Sequence, residues 1–343
     1  MEKVRLGKTG LMVSRVGFGG IPIQRLSKAE AASVVKGVID LGVNFLDTAN
    51  AYSDSEEKIG EAIKDIKREN LVIASKSTAP DKKTFMEHLD LCLKRLGTDY
   101  VDLYQIHNVS TIEKRDVVFA PGGAYEGLAE AIKMGKVRFP AFSSHNIPLA
   151  IDIMKTGKFF VVQLPFNFVD NTAAKEAIPL AKELDMGFIG MKPFGGGLLH
   201  NAPVAIRYVL QFENVVPDPG IEKLSEMREI VSIVNEKKPF SSEDKKIIDD
   251  LIKELGDRWC HRCDYCQPCP QGIGISSVLT VESLLKRMPF RQVFNMANAG
   301  MEKADACLEC GDCMKRCPYK LKIPALLKSK IALWKKVVAE NAG

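Results

Sequence analysis

Two rhythms of apolar and polar positions alternate along the first 236 residues. Near-continuous apolar runs lie at 14–19, 44–49, 71–76, 101–107, 137–143, 160–166 and 187–193, with a shorter one at 214–217. Between them, apolar residues recur at helical spacing over 28–41, 55–67, 81–96, 124–134, 148–155, 173–184, 202–212 and 221–235. Gly42, Gly97 and Gly135 stand where helices should stop, and Ser27 where the first should be capped. Apolar strands separated by amphipathic helices predict a parallel sheet buried on both faces. Eight repeats of one strand–helix unit fit a closed (β/α)8 barrel, with an open doubly wound sheet as the competing arrangement. A hairpin-like lead over 4–12, turning at 7–10, precedes the first unit.

Composition narrows the class. The chain has 343 residues, of which 46% are apolar and 27% charged, as in an ordinary globular protein. No run of ~18 apolar residues is present, and the start shows no cleavable signal pattern. The expectation is a cytoplasmic protein with no membrane segment. Eight of nine cysteines fall between Cys260 and Cys317, whereas Cys92 stands alone on the apolar side of a helix. Such local density in a reducing compartment indicates a metal-bound module and not a disulfide scaffold. The expected organisation is a barrel over 1–236, a bridging amphipathic helix within 237–256, and a cysteine-rich, mostly helical domain over 257–343. That last part carries a net charge of +6, the remainder −1.

In a (β/α)8 barrel the chemistry collects where strands end and loops begin. Polar residues at these ends are therefore informative: Asp47 and Tyr52 follow the second strand, Lys76 ends the third, and His107 ends the fourth. These strand ends thus deliver Asp, Tyr, Lys and His to one rim.

At these residues the chain resembles the aldo-keto reductase family. The likeness spans roughly 3–235 through Asn44-Phe45-Leu46-Asp47-Thr48-Ala49-Asn50-Ala51-Tyr52, Ser55-Glu56, Gly60, Ser75-Lys76 and His107. It continues through Pro121-Gly122-Gly123-Ala124, Gly135-Lys136-Val137-Arg138 and Gln163. The resemblance implies a reductase of small-molecule carbonyl substrates with Asp47, Tyr52, Lys76 and His107 as its tetrad. Reduction of a carbonyl by hydride creates an alkoxide that needs a proton, which Tyr52 would donate while the Lys76 ammonium favours the phenolate. Asp47 would keep that buried ammonium charged, and a neutral His107 would orient the carbonyl oxygen. It also implies NAD(P)H held without a Rossmann fold. Ser143, Ser144, Asn146 and Gln163 then occupy the carboxamide-binding positions. Gly195-Gly196-Gly197 and Gly220, opening the last helix, are placed to approach phosphate. Two departures weaken that site. Met191 stands where the family stacks an aromatic ring on the nicotinamide, and Glu229-Ile230 replaces the family's adenine-binding Glu-Asn pair. Asp218 and Glu222 would oppose a 2′-phosphate, with Lys223 to favour one. Both a dinucleotide-dependent and a dinucleotide-free reductase stay open.

The cysteines run Cys260-x2-Cys263-x2-Cys266-x2-Cys269-Pro270 and Cys307-x2-Cys310-x2-Cys313-x3-Cys317-Pro318. The second is the spacing of bacterial two-cluster ferredoxins; the first is one residue short. Residues 257–325 resemble a ferredoxin-like dicluster module, which implies two 4Fe-4S clusters. One would lie on Cys260, Cys263, Cys266 and Cys317, the other on Cys307, Cys310, Cys313 and Cys269. Two zinc sites are the alternative, although zinc prefers paired arms from separate segments. Two oxidised clusters would carry about −4 in total, offsetting most of the local positive charge. The run Lys315, Arg316, Lys320, Lys322, Lys328, Lys330, Lys335 and Lys336 then reads as compensation or as a dock for an acidic redox partner. No reading motif for nucleic acid accompanies it. His88 reads as a helix-surface residue, His261 as a spacer, His145 and His200 as rim residues, and Trp259 as a shield beside the first cysteine.

Overall fold

The computed structural model describes residues 1–255 and 258–341, and the chain divides into two units. In the first, β1 (Lys3–Arg5) pairs antiparallel with β2 (Met12–Ser14). Eight parallel strands follow: β3 (Phe18–Gly19), β4 (Phe45–Asp47), β5 (Val72–Ser77), β6 (Val101–Ile106), β7 (Val137–Ser143), β8 (Val161–Pro165), β9 (Gly187–Met191) and β10 (Val215–Asp218). They pair in sequence order. The ring closes through Gly17 N donating to Pro217 O at 2.9 Å and Gly19 N to Pro219 O at 2.8 Å. The architecture is thus a (β/α)8 barrel, as the repeat count implied. The run at 14–19 splits, its first residue joining the hairpin and its last two entering the barrel.

The outer helices are α1 (Lys28–Asp40), α2 (Ser55–Ile63), α3 (Lys82–Leu96), α4 (Ile112–Phe119), α5 (Ala124–Lys133), α6 (Ile147–Lys155), α7 (Ala177–Glu183), α8 (Ala202–Leu210) and α9 (Leu224–Glu236). Ser27 caps α1 in a reciprocal box: Glu30 N donates to its Oγ, and Ser27 N to the Glu30 carboxylate. Asp81 and Thr111 cap α3 and α4 in the same sense. Helix α4 lies outside the expected elements. Its apolar residues form no long stripe, and Ile112 and Val117 are exposed, so periodicity gave no signal.

Inside the barrel, Phe45, Val72, Ala74, Leu103, Ala141, Val161, Ile189 and Val216 form one core with Leu6, Leu11 and Val13 from the hairpin segment. A larger apolar layer lies between strands and helices. The hairpin sits against the N-terminal end of β9, since Lys8 N donates to Asp185 O at 2.5 Å and Arg5 pairs with Asp185 at 2.8 Å. Gly7 is at φ +51°, and a Cβ there would come within 2.3 Å of Gly187 N, so only glycine fits. With the N-terminal end filled, the C-terminal rim is the face left for chemistry.

The second unit holds α10 (Ser242–Leu255), α11 (Ile275–Leu279), α12 (Val281–Leu285), α13 (Phe290–Ala304), α14 (Asp312–Arg316) and α15 (Ile323–Glu340). Helix α10, expected to bridge, groups with this unit, and so does Gly196–Leu198. The expected boundary at 256/257 falls outside the described residues. Apolar side chains of α11, α13 and α15, including Ile275, Val293 and Leu327, are buried in it. Phe294 stacks on Trp334 with ring centroids 5.9 Å apart. Among the described residues, no helix is long and apolar enough to cross a membrane.

Candidate active site and cysteine cavities

Adjacent strands deliver the polar residues of the barrel site. Asp47 ends β4 and Lys76 lies near the end of β5, in register with Gln105 of β6. Tyr52 sits in the turn after β4, its N–H bonded to Ala49 O at 2.9 Å, and His107 follows β6, anchored through Ser77 O at 2.8 Å. The Lys76 ammonium donates to Asp47 Oδ2 at 2.5 Å and to Thr48 O at 2.7 Å. Both Asp47 and Lys76 are buried. The ammonium lies 5.1 Å from the centroid of the Tyr52 ring. His107 meets that ring edge-on, with centroids 5.9 Å apart and an interplanar angle of 83°. The four residues named from the sequence therefore come together at one end of the barrel.

Electrostatics assign their protonation. Burial opposes the charge on Lys76, but Asp47 and the phenol oxygen outweigh it and hold its pKa above the ordinary lysine value. His107 is driven the other way. Burial first, then the charges of Lys76, Lys114 and Lys192, hold it well below the usual histidine range. It is a neutral imidazole at pH 7, and its Nδ1 is buried without a hydrogen-bond partner.

Three further buried side chains extend this network. Gln105 Nε2 donates to Asp47 Oδ1 at 3.3 Å. Gln163 Nε2 lies 3.2 Å from Asp47 Oδ2 and 3.1 Å from Asp218 Oδ2. Asp218, taken from the sequence as an acid opposing a 2′-phosphate, is instead buried at the end of β10, where it shares the Gln163 amide with Asp47. Burial and the Asp47 charge hold its carboxyl well above the usual carboxylate range. No local signal could have found it: an acid closing an apolar strand points into the barrel or out of it, and only the register of β10 decides which.

The expected dinucleotide positions are only partly assembled. Ser143 Oγ accepts from Asn108 N at 2.9 Å, and Ser144 Oγ from Asn146 N at 3.0 Å. Asn146 caps α6, accepting from Leu149 N at 3.1 Å. These side chains hold the rim loops, and Gln163 keeps one buried oxygen without a partner. Met191 is half-buried at the end of β9, and Glu229 is exposed on α9. The last helix does not open at Gly220. It starts at Leu224, and the Glu226 carboxylate already accepts from the N–H groups of Glu222 and Lys223, both at 2.9 Å. Gly220 bridges to Gly19 in the barrel closure. Ser283 Oγ and Lys286 Nζ donate to the carbonyls of Gly196 and Gly197, each at 3.2 Å.

In the second unit the cysteines line two cavities. Cys260, Cys263, Cys266 and Cys317 surround one of about 20 Å³ with Ile275, Leu279, Leu321 and Ile323. Cys269, Cys307, Cys310 and Cys313 surround another of about 60 Å³ with Ile273, Ile275, Pro324 and Leu327. The last cysteine of each run thus crosses to the cavity of the other. Burial pushes the Cys260 thiol up to about 11 and Cys266 to about 12, and raises Cys313 as well. Thiolates here need a bound cation to offset their desolvation. His261 is no mere spacer: it lines the first cavity and stacks on Tyr319 at 3.7 Å. His88 is half-buried, with Nδ1 2.8 Å from Ser77 Oγ, whereas Cys92 is core as expected.

A buried Lys–Asp pair thus lies beside a tyrosine and a neutral histidine at the C-terminal end of a (β/α)8 barrel. Residues 15–203 match the model of the aldo/keto reductase family, and the chain belongs to that family. Residues 259–322 match the 4Fe-4S dicluster domain. The chain is 30% identical over 218 residues to the uncharacterized oxidoreductase YqkF of Bacillus subtilis, covering 60% of this chain and 68% of that one. It is 28% identical over 302 residues to versiconal hemiacetal acetate reductase of Aspergillus parasiticus, covering 75% and 81%. Among solved structures, the thermostable aldo-keto reductase Tm1743, in complex with the inhibitor epalrestat, superposes with a TM-score of 0.63 at 25% identity. The match covers 73% of this chain and all of that one. A Klebsiella pneumoniae aldo-keto reductase in complex with NADPH shares the fold, with a TM-score of 0.62 at 18% identity over 73% of this chain and 94% of that one. The chain is an oxidoreductase that joins a reductase barrel to a 4Fe-4S dicluster domain.

Proposed function

We propose that the barrel interconverts a small carbonyl compound and its alcohol with Tyr52 as the general acid. The observation that carries this reading is the Lys76 ammonium, fixed by Asp47 at 2.5 Å and set over the Tyr52 ring. The ammonium favours the phenolate, so the phenol gives up its proton as the alkoxide forms. Neutral His107 leaves its buried Nδ1 as a bare lone pair, so the N–H sits on Nε2 and can donate to the carbonyl oxygen. Burial and the Asp47 charge raise the Asp218 carboxyl above the usual carboxylate range, which disfavours a second negative charge beside Lys76.

A reduced nicotinamide dinucleotide supplies hydride when bound, and the 4Fe-4S clusters supply single electrons. Gln163, with its unpartnered oxygen, and Met191 are the residues that would face the nicotinamide, with Ser143, Ser144 and Asn146 shaping the loop beside it. The donor set fits the clusters: each cavity offers four thiols and an otherwise largely apolar lining. Cys260, Cys263, Cys266 and Cys317 would hold one cluster, and Cys307, Cys310, Cys313 and Cys269 the other. An acidic redox partner could dock on the lysines of α14 and α15.

A second reading, in which the clusters serve the barrel site and no dinucleotide binds, is favoured by one observation. The N–H groups preceding the last helix are engaged by Glu226 and are not open to phosphate. Anaerobic titration of the purified protein with NADPH and NADH separates the two. Nucleotide-dependent aldehyde reduction supports the first. Aldehyde reduction driven by a low-potential reductant alone supports the second. No carbonyl turnover with either overturns both.

A further inference from the structure

The turn that carries Tyr52 is fastened at its ends and in its middle by different groups. At the ends, Gly20 N donates to Asp47 O at 2.7 Å, while Thr48 Oγ1 donates to Ser55 Oγ and Ser55 Oγ to Gly20 O, both at 2.9 Å. The middle depends on a second buried lysine. Lys58, on α2, has a side chain only 3% exposed, and its ammonium pairs with Asp54 Oδ1 at 2.8 Å. The same ammonium donates to Ile23 O and Gln24 O, both at 3.1 Å. Three acceptors match the three protons of an ammonium.

Lys58 thereby joins the helical turn Pro22–Arg25, which precedes α1, to the residues that directly follow Tyr52. Asp54 stands at the N-cap of α2, yet its carboxylate makes no capping bond there and meets Lys58 instead. Ser53, between Tyr52 and Asp54, is at φ +42°, a left-handed position that a non-glycine residue holds only when its surroundings enforce it. Its Oγ donates to Gln24 Oε1 at 2.9 Å, and Gln24 Nε2 donates to Ile21 O at 2.8 Å. Ser53 and Asp54 are thus anchored on one neighbouring segment, and the Tyr52 ring leaves the chain one residue earlier. That ring is the one set 5.1 Å from the Lys76 ammonium.

We propose that Lys58 is a positioning residue for the general acid: by fastening the Tyr52 turn to the segment before α1, it holds the phenol beside the Lys76 ammonium. The inference rests on the reading of Tyr52 as the acid and adds a residue that acts through it. Loss of the Lys58 ammonium leaves two carbonyls and the Asp54 carboxylate without their donor. Ser53 can then relax from its left-handed conformation and carry the Tyr52 ring away from Lys76. A misplacement of about 1 Å is enough to cost about 10²-fold in rate.

The test uses the holo full-length chain and benzaldehyde, with NADPH or titanium(III) citrate as reductant. Lys58→Met should lower kcat by about 10- to 100-fold while KM changes by less than about threefold. Lys58→Arg, which returns the charge and its donors, should restore part of the rate. A second readout needs no turnover: tyrosinate absorbance against pH, taken as the difference between each form and its Tyr52→Phe counterpart, follows this phenol alone. Lys76 and His107 are the groups set against the ring, and Lys76 brings the cation. Release from Lys76 should therefore move the Tyr52 titration upward, toward the ordinary value of about 10. A lysine that only stabilised the loop would lower the melting temperature and leave that titration in place. The proposal is overturned if folded Lys58→Met keeps the wild-type kcat or the wild-type titration, or if it changes KM alone. Should Lys58→Met not fold, Ser53→Ala removes only the tie to Gln24. It should then lower kcat by about 2- to 10-fold and shift the titration the same way, and no change in either overturns the proposal. If the wild type does not turn benzaldehyde over, the reductase reading fails, and the Tyr52 titration alone decides the inference.

Discussion

Replacing Lys76 by Met removes one member of a buried ion pair whose side chains are only 2% and 3% exposed. Asp47 would then keep two glutamine donors but lose its cation. Breaking a buried pair from one side costs about 3–5 kcal/mol, because the remaining charge is stranded away from water. At about 2–4 °C per kcal/mol for a domain of this size, the barrel transition should fall by roughly 6–20 °C. Removing both charges in Asp47→Asn/Lys76→Met should recover much of that loss, since the amide can use the same glutamine partners. The assay is urea and thermal unfolding followed by circular dichroism, with cluster absorbance tracked separately so that the second unit does not set the midpoint. A single variant that loses less than about 1 kcal/mol, the scale of a surface pair, would refute the reasoning. So would a double variant no more stable than the single.

Other outcomes follow from the same geometry. His107 is neutral in the folded protein, with its pKa held low, whereas the unfolded chain takes up a proton below about 6.5. Stability should therefore fall as pH drops from there toward the folded value, by up to about 1.4 kcal/mol per unit, and His107→Phe should flatten that slope. Asp218 has the opposite sign. Its raised folded pKa means that stability is lost as pH rises from the unfolded value of about 3.9 through the folded one, so Asp218→Asn should flatten that loss in denaturation followed against pH. For the cysteines, the wild type should hold about eight irons per chain. Cys317→Ser should perturb the cluster of the first run and Cys269→Ser that of the second, each leaving about four irons with an unaltered signature in electron paramagnetic resonance.

Much of the barrel could be read from the sequence because a parallel strand buried on both faces must be apolar almost throughout, as Gly187–Met191 is. Asp47, Lys76 and His107 stood out against that background, since a charged or polar residue at the end of such a strand needs a partner. Other features depended on tertiary register, which periodicity does not encode. Asp218 closes a short strand, and only the pairing of β10 with β9 shows that it turns inward. The start of the last helix was misplaced because Ile221 fits the apolar stripe, while Glu226 draws the cap to Lys223. His145 and Lys192 lie 47 positions apart and meet through two left-handed residues that nothing local foretells. In the second unit, cysteine spacing implied the two sets of four through the likeness to ferredoxins. The cavities group the same cysteines despite the shortened first run.

The most direct measurement is single-turnover reduction of an aldehyde by Tyr52→Phe under anaerobic conditions, with circular dichroism and iron content confirming an intact chain. The account predicts a rate lowered by about 10²- to 10⁴-fold, the usual worth of a positioned general acid. Turnover at the wild-type rate would contradict it, because the proton would then come from a group other than the phenol beside Lys76.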